Sequence, residues 1–330
     1  MTVELDVLRT HLGAEAPAIA YYIDAGSVGY FADAIMDPDP RYRVPQPARR
    51  ESENGIVASP TFFGGALGLL DIPAGDPRTM SAIDLPLPAG WTRLATGDGF
   101  EFYRPVRIGM TLISRERFID VYEKQGRSGR LVFYTMEKTF SLPTGEPVLR
   151  RVLYCVAREP NPPIPGRPFR AGIPESGAQG APLPSLTVGP VTVRYLAMFA
   201  TATAEFVDIH YDADYARAVG LPGPIIQGLY KTALVARMLK DWTGDGTLIR
   251  SISVRHRGMD LAGSTLTIGG AVVIASSKDA PGDSECSVWV RSQDGILTTM
   301  GTARVTRPTT GAEARLDRPP SDDVKEHQQR

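Results

Sequence analysis

Residues 224–242 read Pro224-Ile225-Ile226-Gln227-Gly228-Leu229-Tyr230-Lys231-Thr232-Ala233-Leu234-Val235-Ala236-Arg237-Met238-Leu239-Lys240-Asp241-Trp242. Ile225, Leu229, Ala233, Ala236 and Leu239 fall along one helical face, and Ile226, Tyr230, Leu234, Val235 and Met238 widen it. A helix apolar over that much of its circumference is enclosed by other elements rather than laid on a surface. Pro222-Gly223-Pro224 marks its start, because proline tolerates a first helical turn and glycine permits close approach.

Just upstream lies Ala204-Glu205-Phe206-Val207-Asp208-Ile209-His210-Tyr211-Asp212. It gathers two carboxylates and a histidine within six residues and runs into the Gly/Pro turn. The chain has only four histidines. His11 sits in a short N-terminal helical run with no acid or Gly turn patterned around it, His327 lies in a polar tail, and His256 reads as a polar strand residue in Arg255-His256-Arg257. His210 alone is packed among acids, so this segment is the candidate active site. Asp212 reads as the cap of a helix beginning near Ala213.

Upstream, residues 3–14 read as a short amphipathic helix, 19–23 as a strand and 26–35 as a helix ended by Met36-Asp37-Pro38-Asp39-Pro40. After the Asn54-Gly55 turn, residues 56–63 lead into a small-residue helix through about Leu70, and 71–98 read as irregular. Strands are expected at 99–106, 112–123, 131–140 and 148–157, with turns between them, an antiparallel meander. Residues 159–185 hold eight prolines and read as a linker. The order then returns. At an offset of 168, Phe199-Ala-Thr-Ala falls on Phe31-Ala-Asp-Ala, Glu205 on Asp37, His210 on Tyr42, Gly223 on Gly55, Ile225 on Val57 and Gly228 on Pro60. Gly109 and Gly263 head matching strands, and further strands are expected at 250–258, 264–276, 285–292 and 297–306. The chain is therefore an internal duplication, each copy a few helical elements followed by about four antiparallel strands. A curved antiparallel sheet around one long helix is the hot-dog arrangement, so the expected class is α+β, a double hot dog. Its parts are an N-terminal module (1–158), the linker (159–185), a C-terminal catalytic module (186–307) and a disordered tail (308–330).

Composition narrows the function. The chain has 330 residues, is 42% hydrophobic and 22% charged, and carries a net charge of −1, which argues against a nucleic-acid binder. Cys155 and Cys286 cannot build a disulfide framework or, with dispersed histidines, a zinc pattern. No apolar run approaches a membrane span and the N-terminus lacks a basic leader, so a cytoplasmic protein is expected.

Glu205-Phe-Val-Asp-Ile-His210-Tyr-Asp212, followed by Gly220-Leu-Pro-Gly-Pro-Ile-Ile-Gln227-Gly228, resembles the hydratase motif of MaoC-like (R)-specific enoyl-CoA hydratases and 3-hydroxyacyl dehydratases. That motif runs Asp-x-Asn-Pro-x-His-x-Asp, then Gly-x-Pro-x-x-Ile-x-His-Gly. The first half resembles the fatty-acid-synthase-type dehydratase domain of fused members, through Phe31 to Pro40, Ser59-Pro-Thr-Phe62, Glu101 to Gly109 and Gly126-Arg-Ser-Gly129. The resemblance implies reversible addition of water across the 2,3-double bond of an acyl thioester on CoA or acyl carrier protein. It implies no cofactor and no metal. By position Glu205 stands for the family's catalytic aspartate, His210 for its histidine, and Gly228 for the glycine whose N–H polarises the thioester carbonyl.

Four departures bear on the site. Glu205 replaces Asp, Val207 replaces Asn, Asp208 replaces Pro and Gln227 replaces the His before the glycine. Asp208 thus stands as a rival acid and a substrate-binding candidate, and Gln227 either orients a ligand or satisfies backbone. Tyr42 and Pro60 at the His and Gly positions imply that the first copy has lost catalysis. Arg104 and Arg107 are either CoA-phosphate contacts or solvated strand ends. The alternatives to a hydratase are a hot-dog thioesterase and a catalytically silent acyl-thioester-binding subunit. The acyl thioester is the expected partner, nucleic acid and membrane are not, and a homodimer is left open.

Overall fold

Two strand sets of matching order meet edge to edge. The computed structural model describes residues 5–42, 57–63, 83–87, 91–126, 129–159, 180–244, 248–274 and 282–306. The first half contributes β1 (Ile19–Tyr22), β2 (Thr92–Phe102), β3 (Thr111–Gly126), β4 (Gly129–Ser141) and β5 (Pro147–Arg158). The second contributes β6 (Ala181–Pro182), β7 (Leu186–Val188), β8 (Leu248–His256), β9 (Leu266–Ile274), β10 (Asp283–Arg291) and β11 (Leu297–Thr306). They form one sheet in the order β1-β3-β4-β5-β2-β8-β11-β10-β9-β6, with β7 also on β9. Outward from the β2–β8 joint, β2-β5-β4-β3 is matched by β8-β11-β10-β9. Short β1 on β3 is likewise matched by β7 on β9.

The duplication extends to single residues. Helix α2 (Ala25–Ala34) and helix α3 (Val193–Thr203) are each followed by a left-handed non-glycine residue, Met36 at φ 53° and Ala204 at φ 56°. A side chain there is sterically costly, so this backbone is held by its surroundings. Each of the two directly precedes the acid of its copy, Asp37 or Glu205. Gly109 and Gly263 share φ near 90° (88° and 92°), and the isolated bridges Val57–Arg107 and Ile225–Leu261 occupy equivalent places.

The enclosed helix is α5 (Gly228–Thr243), whose residues from Leu229 to Leu239 are all buried. Each leucine or valine so enclosed contributes about 1.5–3 kcal/mol of transfer free energy. Its polar side chains find partners. Tyr230 Oη donates to Ala34 O at 3.1 Å, and Arg237 Nη1 donates to Met36 O at 2.7 Å and Ile35 O at 3.2 Å. These bonds tie α5 to the end of α2 in the other half. Phe199 bridges the same joint, its ring 5.6 Å from Phe31 and 5.0 Å from Tyr230.

Three expectations shift. The long helix begins at Gly228 rather than Pro224, because Ile225 and Ile226 spend their N–H groups on Ile209 O and Asp260 O. Strand β2 begins at Thr92, inside a stretch expected to be irregular. The strand expected from Gly99 thus starts seven residues earlier, and its register slips between Ala95 and Gly97, a β-bulge. A Cβ on Gly97 would lie 2.4 Å from Val254 O, so glycine is what lets β8 approach. The first helix, α1, is only Leu5–Arg9, and Gly13 N–H then turns the chain onto Phe118 O of β3 at 2.8 Å. The helix expected through Leu70, most of the linker and the tail fall on 64–82, 160–179 and 307–330, outside the described residues. Among those described, no helix is long and apolar enough to cross a membrane.

Candidate active site

Glu205 follows the left-handed Ala204, which ends α3 and turns the chain sharply. A 3-10 turn, Asp208–His210, comes next, then α4 (Ala213–Ala218). Asp212 caps α4 by accepting from Asp214 N and Tyr215 N, each at 2.9 Å. Val207, Ile209, Ala216, Leu221 and Ile225 form a small apolar cluster that seats this loop against the approach to α5. His210 is thereby brought to Ile225 O, 2.7 Å from its Nδ1. A carbonyl only accepts, so Nδ1 carries the proton and Nε2 is left with its lone pair. Burial pushes the imidazole pKa down to about 4, the Ile225 bond opposing it, so the ring is neutral at pH 7.

Glu205, His210, Gln227 and Gly228 line one cavity of about 210 Å³. Gly228 is the first residue of α5, and first-turn N–H groups have no helical carbonyl to bond. They are oriented donors at the positive end of the helix dipole. Gln227 is buried; its Nε2 donates to Leu196 O at 2.9 Å, which fixes the amide, and its Oε1 has no protein partner. Asp208 does not line the cavity: its Oδ1 accepts from Tyr211 Oη at 3.0 Å. Burial, then this bond, raises the Tyr211 phenol to about 12.

The cavity wall also contains residues that sequence reasoning passed over. Arg151 of β5 donates from Nη1 to Glu205 Oε1 at 2.6 Å, and from Nε and Nη2 to Asp98 Oδ1 of β2 at 3.0 and 2.8 Å. Asp98 is wholly buried; its Oδ2 accepts from Thr232 Oγ1 of α5 at 3.0 Å and lies 3.3 Å from His256 Nε2. Burial alone would raise the Asp98 carboxyl, but Arg151 and His256 hold it far below the carboxylate range. His256, expected to be an ordinary strand residue, lines the cavity at the end of β8 with Nδ1 3.1 Å from Thr299 Oγ1. Burial lowers its pKa, so it stands as a neutral ring donating to Asp98 and accepting from Thr299. A Cβ on Gly228 would sit 2.6 Å from this ring. Lys231 lines the same wall and donates to Gly258 O and Asp260 Oδ2 at 2.9 and 3.0 Å. The only sequence cue to this group was a doublet of arginines, Arg150-Arg151, inside an apolar strand.

The equivalent place in the first half is built differently. Lys240 of α5 donates to Asp37 Oδ2 at 2.9 Å and Asp39 Oδ2 at 3.3 Å, and its Nζ lies 4.9 Å from the centre of the Tyr42 ring. Arg104 donates to Glu146, and neither it nor Arg107 lines the cavity that holds Glu205 and His210.

Against known proteins, a family model described as the FAS1-like dehydratase domain region matches residues 10–151, and one for the MaoC-like domain matches residues 180–288. The beta subunit of a 3-oxo-4,17-pregnadiene-20-carboxyl-CoA hydratase from Mycobacterium tuberculosis is 38% identical over 94 residues, 28% of this chain and 71% of that protein. A mesaconyl-C(4)-CoA hydratase from Chloroflexus aurantiacus is 27% identical over 46% of this chain and 52% of its own length. Among solved structures, a MaoC-like dehydratase superposes with a TM-score of 0.72 at 19% identity, covering 92% of this chain and all of the other. A conserved hypothetical protein from Mycobacterium tuberculosis, described as a double hotdog, gives 0.57 at 13% identity, over 89% of this chain and 96% of that one.

Proposed function

This chain belongs to the MaoC-like hydratase and dehydratase family, in its fused double hot-dog form, and on that premise we propose that it adds water reversibly to 2-enoyl thioesters to give (R)-3-hydroxyacyl thioesters. The observation that carries the reading is one cavity lined by a carboxylate, a neutral imidazole and a helix start, Glu205, His210 and Gly228. Hydration breaks one O–H bond of water, forms the C3–O bond and places a proton on C2. The Nε2 lone pair of His210 and the Glu205 carboxylate orient the water and take its proton, and the same pair returns a proton to C2. Charge builds on the thioester oxygen meanwhile, and the Gly228 N–H stabilises it. The relatives whose names specify CoA thioesters support CoA as the carrier. Arg93 and Arg257 on the cavity wall suit its phosphates.

In this reading the first half is not catalytic. Its equivalent acid, Asp37, is buried and neutralised by Lys240, and Tyr42 offers no base at neutral pH. The test is hydration of enoyl-CoAs from crotonyl to long-chain by wild type, His210→Ala and Glu205→Ala. The expected outcome is turnover by wild type and a loss of roughly 10²–10⁴-fold in each variant, the range for a positioned acid–base group. Undiminished turnover in both variants would remove the site assignment.

A further inference from the structure

We propose that Arg151 of the first half is a positioning residue for the reaction, holding Glu205 in place while Asp98 offsets its charge. The inference rests on the reading of Glu205 as a reacting carboxylate and goes beyond it by assigning a task to the half without the histidine.

The guanidinium has little freedom. Two of its three nitrogens converge on one oxygen of Asp98, and the third donates to Glu205 Oε1 at 2.6 Å. The Phe63 and Phe100 rings lie 5.6 and 5.7 Å from its central carbon. The Arg151 side chain is 7% exposed and that of Asp98 is 0% exposed, so neither is a solvated surface ion. A planar fork pinned at Asp98 leaves one direction for Nη1, and that direction ends on Glu205. Glu205 Oε1 is thereby occupied and Oε2 is left for water.

This arrangement accounts for the glutamate where the family motif has aspartate. The extra methylene adds a rotatable bond, and the Arg151 bond to Oε1 restricts that freedom. Asp98 is equally required. Without it the guanidinium would be an uncompensated buried cation, whereas the Asp98–Arg151 pair presents a donor of small net charge. Asp98 also accepts from Thr232, one turn into α5, and meets His256, whose ring packs on Gly228. One buried carboxylate thus sets the acid and the helix start relative to one another.

The test is a double-substitution cycle on the full chain, read as kcat and KM for a hydrated enoyl-CoA. Arg151→Met should lower kcat by about 30-fold or more while KM moves less than about threefold. Arg151→Lys, which keeps a buried cation, should recover part of that loss. In a Glu205→Gln background, Arg151→Met should change kcat by less than about twofold, since a residue acting through Glu205 has nothing left to position. Millimolar guanidinium should partly restore Arg151→Ala and leave the double variant unchanged. Melting curves on each protein separate unfolding from these effects, and Arg151→Lys carries the test if the methionine variant does not fold. Wild-type kcat in Arg151→Met, or an equal loss with and without Glu205, would overturn the proposal. Full turnover by Glu205→Gln alone would instead overturn the function on which it rests.

Discussion

His210 is the residue whose chemistry the structure defines most narrowly. Its Nδ1–H is committed to Ile225 O, and burial holds the ring pKa at about 4. Two consequences follow. The ring stays a neutral base through the whole range from about pH 8 to 5, so kcat should show no inflection from this residue near 6.5, the ordinary histidine value. Stability carries the opposite side of the same equilibrium. Between 6.5 and about 4 the unfolded chain binds a proton that the folded chain refuses, so this contribution is complete above 6.5 and is lost as pH falls toward 4. Thermal denaturation of wild type and His210→Gln at about pH 7 and 4.5 checks it: the variant should lose less stability on acidification. His210 was legible in sequence because its acids and turn lie within a few residues. Arg151 and Asp98 were not, because they come from strands of the other half and meet Glu205 only after the sheet forms.

At the scale of elements, α5 decides where the site lies. Its enclosure was readable from residues 224–242, since a helix with apolar side chains around most of its circumference must bury them on several sides. Its start was not. Pro224 to Ile226 continue the helical spacing, but their neighbours Ile209, Asp260 and Leu261 draw them into extended pairing, and the helix opens four residues later. That displacement puts Gly228, rather than a mid-helix peptide, at the cavity. Gly228→Ala should lower kcat by about 10²-fold, the order for losing an oxyanion donor. The added Cβ meets a His256 ring held on both sides by Asp98 and Thr299, so the helix start must move instead. Steady-state kinetics with a melting curve would show it; unchanged kcat would mean that the N–H is not aimed at the thioester. Strand β2 shows the reverse error: residues 92–98, read as irregular, are strand, with a bulge beside Gly97 that admits β8.

For the whole molecule, the duplication was legible as an offset of 168 residues, and the sheet repeats it in every strand but β6. What the offset could not show is that the halves share a site. The β2–β8 pairing, the α2–α5 bonds and the Asp98–Arg151–Glu205 group all cross the joint. Residues 1–159 and 180–330 produced as separate polypeptides should therefore be inactive singly and active when co-expressed, as read by enoyl-CoA hydration. Activity of the second piece alone would mean that its site is complete without the first.

Water addition at C3 is decided by the fate of labelled oxygen. An enoyl-CoA is turned over in oxygen-18 water and the products are weighed by mass spectrometry. Hydration puts the label on the 3-hydroxyl of an intact (R)-3-hydroxyacyl-CoA, with roughly 10²–10⁴-fold less formed by His210→Ala. Label in the carboxylate of a released free acid, with CoA set free, would contradict it and make the chain a thioesterase.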